Sequence, residues 1–227
     1  MMHIHPGIHI DAEGVRFSVV SHHADALWLC LFDEAGNRET NRIEMSRSPG
    51  GQFSVHVKGL NPGQKYGYRA DGPWEPHLGH RFDISKLLVD PYAPIIDRPF
   101  QWHPDLAAKG VDSRAFVPKS ILTKPDHKNY HHAEPAPRGG LVYEVPVKAF
   151  SKLNPDIPDA IRGTLAALAH PASIAHFRKL GVAAVELMPV HAWIDERHLA
   201  PLGLSNAWGY NPVSLMALDP RLAPNGI

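Results

Sequence analysis

The sequence has one cysteine, Cys30. That excludes an intrachain disulfide framework and fits a reducing compartment. Long apolar runs are missing too. No stretch reaches the roughly 18 consecutive apolar residues of a membrane-spanning helix. Neither sign of charge is in excess, since 23 basic residues face 23 acidic ones. The electrostatic footprint of a nucleic-acid or anionic-membrane binder is therefore absent. The opening Met1-Met-His-Ile-His-Pro6 has no basic stretch leading into an apolar core, so no secretory signal is visible and a cytoplasmic location is expected.

What is present is a globular composition. Hydrophobic residues make up 44% of 227 positions, enough for a packed core. The 22 prolines are dispersed, which indicates many short elements and turns. Residues 4–70 read as short strands: Val15–Val20, Ala26–Phe32, Gly51–Val57 and Lys65–Ala70, separated by Asp33-Glu-Ala-Gly-Asn37 and Asn61-Pro-Gly63. That spacing predicts an antiparallel β-sandwich. Residues 71–140 are irregular, and the Pro-, His- and charge-rich part from 96 to 140 reads as a linker. Pro135-Ala-Pro-Arg-Gly-Gly140 marks a boundary.

From Leu141 the pattern changes. Leu141–Val147 is an apolar run. His170-Pro171 to Leu180 predicts a helix with Pro171 in its first turn and Ile174, Phe177 and Leu180 on one face. Gly181 ends that helix, and Ala183–Met188 is a second apolar run broken only by Glu186 and stopped at Pro189. Together these predict one βαβ unit over 141–190 with a parallel strand pair. Ligand chemistry is then expected beyond the carboxyl ends of the strands, near Val147–Phe150 and His191. Two strands and one helix cannot cover both faces of a parallel sheet, so this segment is expected to expose apolar surface.

Several motifs add a family resemblance. Tyr66-Gly-Tyr-Arg-Ala-Asp-Gly-Pro-Trp74, Gly79-His-Arg-Phe82 and Lys86-Leu-Leu-Val-Asp-Pro-Tyr-Ala93 resemble the bacterial isoamylase-type glycogen debranching enzymes. So do Leu141-Val-Tyr-Glu-Val145, Arg162-Gly-Thr164, Val185-Glu-Leu-Met-Pro-Val-His191 and Trp208-Gly-Tyr-Asn-Pro212. The resemblance covers essentially the whole chain. It implies a multidomain β plus α/β protein: an immunoglobulin-like sandwich similar to a family 48 carbohydrate-binding module over 1–95, a linker over 96–140, and over 141–227 the beginning of a (β/α)8 TIM barrel of glycoside hydrolase family 13, truncated after about two strands. The implied activity is hydrolysis of α-1,6 branch linkages in glycogen or limit dextrin. The implied partner is that α-glucan, with no cofactor and no metal. A separate chain carrying the rest of the barrel is a further candidate partner. Glycogen branching enzymes and maltooligosyltrehalose hydrolases share the same plan.

The family's retaining mechanism uses an aspartate nucleophile, a glutamate acid/base and a stabilising aspartate on the fourth, fifth and seventh barrel strands. No catalytic residue is assigned here. Retention needs two carboxyl groups about 5–5.5 Å apart, and none of Glu144, Glu186, Asp195, Glu196 or Asp219 reads as such a pair. Glu144 and Glu186 lie inside strands, and the adjacent Asp195 and Glu196 read as solvated loop charges. The chain alone is therefore expected to be inactive, and a non-catalytic glucan-binding or regulatory protein is the rival reading. Pro146 departs from the family pattern, which favours histidine there.

Candidate glucan-binding residues follow from the resemblance. Tyr210 is implied to stack on the sugar beside the cleavage point; without the resemblance, a buried turn tyrosine is the commoner role. Trp208 and Asn211 carry the same implication, with packing and turn formation as rivals. His191 could reach substrate hydroxyls or make a structural hydrogen bond. Trp74 sits in a turn and could bind glucan, whereas Trp28, inside an apolar strand, reads as core. The 16 histidines include His3-Ile-His5 and His131-His132. No cysteine or carboxylate set completes a zinc pattern around them.

Overall fold

The computed structural model describes residues 5–124 and 139–224. In chain order the elements are β1 (Gly7–Ile10), β2 (Val15–Val20), β3 (Ala26–Phe32), β4 (Glu39–Glu44), β5 (Ser46–Ser48), β6 (Gln52–Val57), β7 (Lys65–Asp71), β8 (Trp74–Glu75), β9 (His80–Arg81) and β10 (Ser120–Ile121). A β/α segment follows: β11 (Leu141–Val145), α1 (Val147–Ser151), α2 (Leu165–Leu168), α3 (Pro171–Leu180) and β12 (Val182–Leu187). Two four-stranded antiparallel sheets, ordered β1-β2-β6-β5 and β10-β7-β3-β4, form the sandwich. β8 and β9 make a small hairpin, and β11 pairs with β12 in parallel.

Alternation builds the sandwich core. Val15, Phe17 and Val19 of β2 face Leu27, Leu29 and Leu31 of β3 and Tyr66, Tyr68 and Ala70 of β7. Phe17 meets Tyr66 edge-on at 5.0 Å between ring centroids, the arrangement that aromatic quadrupoles favour. Each large side chain removed from water here contributes about 1.5–3 kcal/mol. β3 is apolar on both faces because both are covered. Its other face, Cys30 and Phe32, packs on Leu87 and Val117.

That second cover is the irregular stretch 83–119, and three cations hold it, Arg69 and Lys119 buried and Lys86 half-buried. Backbone carbonyls outside a ladder must find donors when buried. Lys86 Nζ donates to the carbonyls of Asp105, Ala108 and Val111. Arg69 donates to those of Ile84 and Ser85 and pairs with Glu39 and Asp112. Lys119 Nζ donates to the carbonyls of Arg114 and Val117, and burial lowers its pKa to about 8. Within the segment 96–140, read as a linker, β10 extends the β7 sheet through Ser120–Tyr66 pairing. Residues 125–138, with Pro135 and His131-His132, lie outside the described residues, as does His3. Asp90 explains the Asp-Pro-Tyr motif. Fully buried, it accepts a hydrogen bond from the Tyr66 hydroxyl at 2.7 Å and from the Tyr92 amide at 2.9 Å. Burial raises its pKa.

The helix expected at 171–180 is α3. Its N-cap is His170, whose Nδ1 accepts from the Ala172 amide at 3.3 Å. Gly181 closes it in the left-handed region at φ 69°, where an L side chain is strained. Phe177 packs on Tyr143 at 5.7 Å and on Phe150 at 5.2 Å. Ile174 and Leu180, read on the same helical face as Phe177, are 38% and 46% exposed. β11 ends at Val145 rather than Val147, and Pro146 serves as the N-cap of α1. Proline therefore takes no ladder position in this strand, and the Met188 amide still reaches the Val145 carbonyl at 3.0 Å. The face opposite Tyr143 carries Val142, 57% exposed, and the register pair Glu144–Glu186, also exposed. This matches the expected uncovered surface.

Candidate glucan-binding site

Beyond β12 the chain makes an excursion, 189–222, over the carboxyl ends of the two parallel strands. Residues 190–194 run extended between two returning stretches. His191 bridges Leu218, and Trp193 bridges Pro212. The Ala192 amide donates to Ala217 and the Val213 amide to Ala192. Ala192 and Ala217 are fully buried against Ile96 beneath the sandwich cover. Small residues permit that close approach.

Two polar knots lock the excursion. Asp219, fully buried, accepts from Arg221 Nε at 2.8 Å, Arg221 Nη2 at 2.9 Å and the Trp193 amide at 3.2 Å. The Arg221 guanidinium lies 3.9 Å over the Trp193 ring and donates to the Trp193 carbonyl. The second knot centres on Asn206. Its amide donates to Asp195 at 2.8 Å and its Nδ2 to Glu196 at 2.9 Å, while its Oδ1 accepts from the amides of Trp208 and Gly209. Asp195 and Glu196 are thus half-buried structural acceptors, which corrects their reading as solvated charges. Acceptor demand, invisible in a charge count, draws them in.

The knots leave two aromatic rings outward. Trp208 and Tyr210 are 68% and 61% exposed. The buried-tyrosine alternative for Tyr210 is not realised. Gly209 between them adopts φ 78°, and a Cβ there would stand 2.8 Å from the Pro189 carbonyl oxygen. Gly209→Ala is therefore expected to cost about 1–3 kcal/mol of loop stability, visible as faster amide exchange over 206–213. Unchanged exchange would show that the loop does not need this approach.

The sequence candidates separate into two places. Trp208 borders a small cavity at the strand ends with Pro146, Lys148, Met188 and Pro189. Asn211 and Trp74 come together in a larger cleft between the excursion and the β8–β9 hairpin. Asn211 also donates to the Ile194 carbonyl at 3.0 Å, so its turn-forming role is present. His191 and Tyr210 are exposed and border neither hollow. Trp28 is half-buried against Cys30 and Phe32, as core. Sequence reasoning missed Asn206, Arg221 and Trp102. Only the Asn-x-x-Gly spacing of 206–209 could have flagged a turn-forming amide.

Glu144 and Glu186 are neighbours in register, each one residue from its strand's end, but they sit on the uncovered sheet face. Among the described residues no group of three or more His, Cys, Asp or Glu side chains is placed to hold a metal.

Comparison with known proteins now bears on this geometry. Residues 6–93 match the family model of carbohydrate-binding module 48, the isoamylase N-terminal domain. The glycogen debranching enzyme of Cronobacter sakazakii is 43% identical over 225 residues, 96% of this chain and 34% of that protein. Over nearly its whole length the chain is similar to part of such bacterial glycogen debranching enzymes. It spans about a third of the length of the debranching enzymes it matches. Pullulanase structures share the fold at lower identity. The type I pullulanase of Bacillus subtilis, complexed with maltose, aligns over 100% of this chain and 29% of its own (TM-score 0.66, 21% identity). GBS pullulanase SAP, in complex with maltotetraose, aligns over 99% of this chain and 30% of its own (TM-score 0.68, 19% identity). The debranching-enzyme match runs through both the sandwich and the β/α segment.

Proposed function

We propose that the chain is the N-terminal part of an α-glucan debranching hydrolase that acts on α-1,6 linkages of glycogen or limit dextrin. In this reading residues up to 124 form a carbohydrate-binding-module-like sandwich with its cover. The boundary falls within 125–140, and 141–227 begin a (β/α)8 glycosidase barrel. The 43% identity sustained over 96% of the chain supports it above all. Trp208 and Tyr210 would offer ring faces to the C–H faces of glucose units, and Asn211 and His191 would meet hydroxyls. The catalytic carboxylates would lie on barrel strands outside these residues.

One observation favours the second reading, glucan binding without turnover by this chain. The carboxylates of the excursion are consumed as structural acceptors of Asn206 and Arg221. Both readings are tested by incubating the 227-residue chain with limit dextrin and following new reducing ends beside a pull-down on insoluble glucan. Binding without release is expected. Release would reveal a catalytic pair within the chain, and Glu144→Gln and Glu186→Gln would be the first variants to make. Tyr210→Ala is expected to weaken binding about 3–10-fold, the worth of one aromatic contact. Unaltered affinity would remove Tyr210 from the site.

A further inference from the structure

The larger cleft carries cations that the fold does not use. It encloses ≈ 970 Å³ between the sandwich appendages and residues 194–197 and 211, at the upper end of the range for small-molecule sites. Arg81, Lys86 and Arg197 stand on its wall against Asp195 and Glu196. Both acids are already engaged. Asp195 accepts from the Asn206 amide and lies 3.6 Å from Arg221, and Glu196 accepts from Asn206 Nδ2. The Lys86 protons go to three backbone carbonyls, which leaves its charge uncancelled. Arg81 and Arg197 are exposed, and among the described residues neither makes a side-chain hydrogen bond or an ion pair. Lys109 adds a fourth cation, its Nζ 4.5 Å from the centre of the Trp74 ring. Trp74 is also the register partner of Arg81, so this ring stands among cations, whose attraction to an aromatic face is electrostatic.

These groups narrow the ligand class. Two unpaired guanidinium groups, one from β9 and one from the excursion, suit an anion long enough to meet both. Their planar forks match phosphate oxygens in pairs. A neutral ligand would gain nothing from that charge. The other tryptophan of the wall, Trp102, is half-buried on the cover side, and no ring or cation packs on it among the described residues. Its open face suits a second planar ring. A bare phosphate would leave that face unused. A planar ring joined to a chain of phosphates is a nucleotide. We infer that this cleft binds a nucleoside diphosphate, its phosphates held by Arg81 and Arg197 and its base stacked on Trp102. Tyr210 lies outside the cleft wall, so this site and the glucan reading stand or fall separately.

The test titrates the full chain with ADP by calorimetry at low salt, with pyrophosphate and adenosine beside it as the two halves of the ligand. ADP is expected to bind roughly tenfold more tightly than pyrophosphate, the worth of one stacked base. Arg197→Ala and Arg81→Ala are each expected to weaken ADP roughly tenfold, as the loss of a charge-assisted hydrogen bond does. Both side chains are exposed and unpaired, so the variants should fold. Tyr210→Ala should bind ADP as the unmodified chain does. Footprinting by tryptophan oxidation needs no variant at all, and there ADP is expected to protect Trp102. Pyrophosphate binding as tightly as ADP would overturn the stack on Trp102 and with it the nucleotide. Unchanged ADP affinity in both arginine variants, equal oxidation of Trp102 with and without ADP, or no binding of ADP by the unmodified chain would overturn the site, whatever the chain does with glucan.

Discussion

Arg221→Ala is expected to loosen the 189–222 excursion by about 3 kcal/mol while leaving the sandwich transition unchanged. Asp219 is fully buried, and Arg221 supplies both of its side-chain partners at 2.8 and 2.9 Å. Two backbone amides, of Trp193 and Arg221, would remain. They cannot neutralise a carboxylate out of water, and breaking a buried pair by removing one member costs about 3–5 kcal/mol. The lower end applies because Arg221 is 25% exposed. The loss should spread, because Arg221 also caps the Trp193 carbonyl and covers the Trp193 ring. Trp193 Nε1, buried without a partner, already makes this corner costly. Amide exchange separates the outcomes: 190–222 should exchange faster by two orders of magnitude or more, and β2, β3 and β7 should not. Asp219→Asn in the Arg221→Ala background should recover part of the loss, since an amide carries no charge to strand. If Arg221→Ala leaves exchange unaltered, the knot is not what holds the aromatic surface.

Much of this architecture was legible from residue order. α3 was readable because its ends are chemical: a proline in the first turn, glycine past the last. β3 was readable as continuous apolar sequence, though the alternation alone could not say why both faces were apolar. β4 was not found. It is an edge strand whose residues, Glu39 and Arg42 among them, serve ion pairs rather than the core, so no period-2 signal survives. The cover over 83–119 was invisible for a different reason. It is held by Lys86, Arg69 and Lys119 reaching carbonyls up to 25 residues away, and no local pattern records such capping. The candidate site residues behaved likewise. Trp208 and Tyr210 stood out as motif residues, whereas Asn206 and Arg221, which position them, are ordinary loop residues until the partners are known. Trp74 and Asn211 were each suspected singly. Only the folded chain brings them to one cleft.

Cys30 should react with a thiol reagent at pH 8 at least about a thousandfold more slowly in the native protein than in urea. Burial first, and the nearby Glu39 carboxylate second, raise its pKa to about 12. An unfolded cysteine titrates near 8.5, so at pH 8 roughly a quarter of it is thiolate, against about one part in ten thousand for a thiol titrating at 12. Access is closed as well, since Cys30 is fully buried within an inner strand of its sheet, opposite Arg42 and Gly67. Native labelling must then proceed through opening of β3, and its rate reports the free energy of that opening. The pH dependence gives the sign. The unfolded chain's rate should level off above about pH 9, once its thiol is ionised. A native chain that reacted without opening would keep accelerating toward pH 12, because its folded pKa lies higher. The same experiment asks whether the two parts of the chain unfold together. The β/α segment exposes Val142, Val185 and Leu187 and should lose structure at lower urea than the sandwich, with Cys30 still protected. Labelling of Cys30 in step with loss of the Tyr143–Phe177 contact would instead mean that the buried Ile96–Ala192–Ala217 contact couples both parts into one cooperative unit.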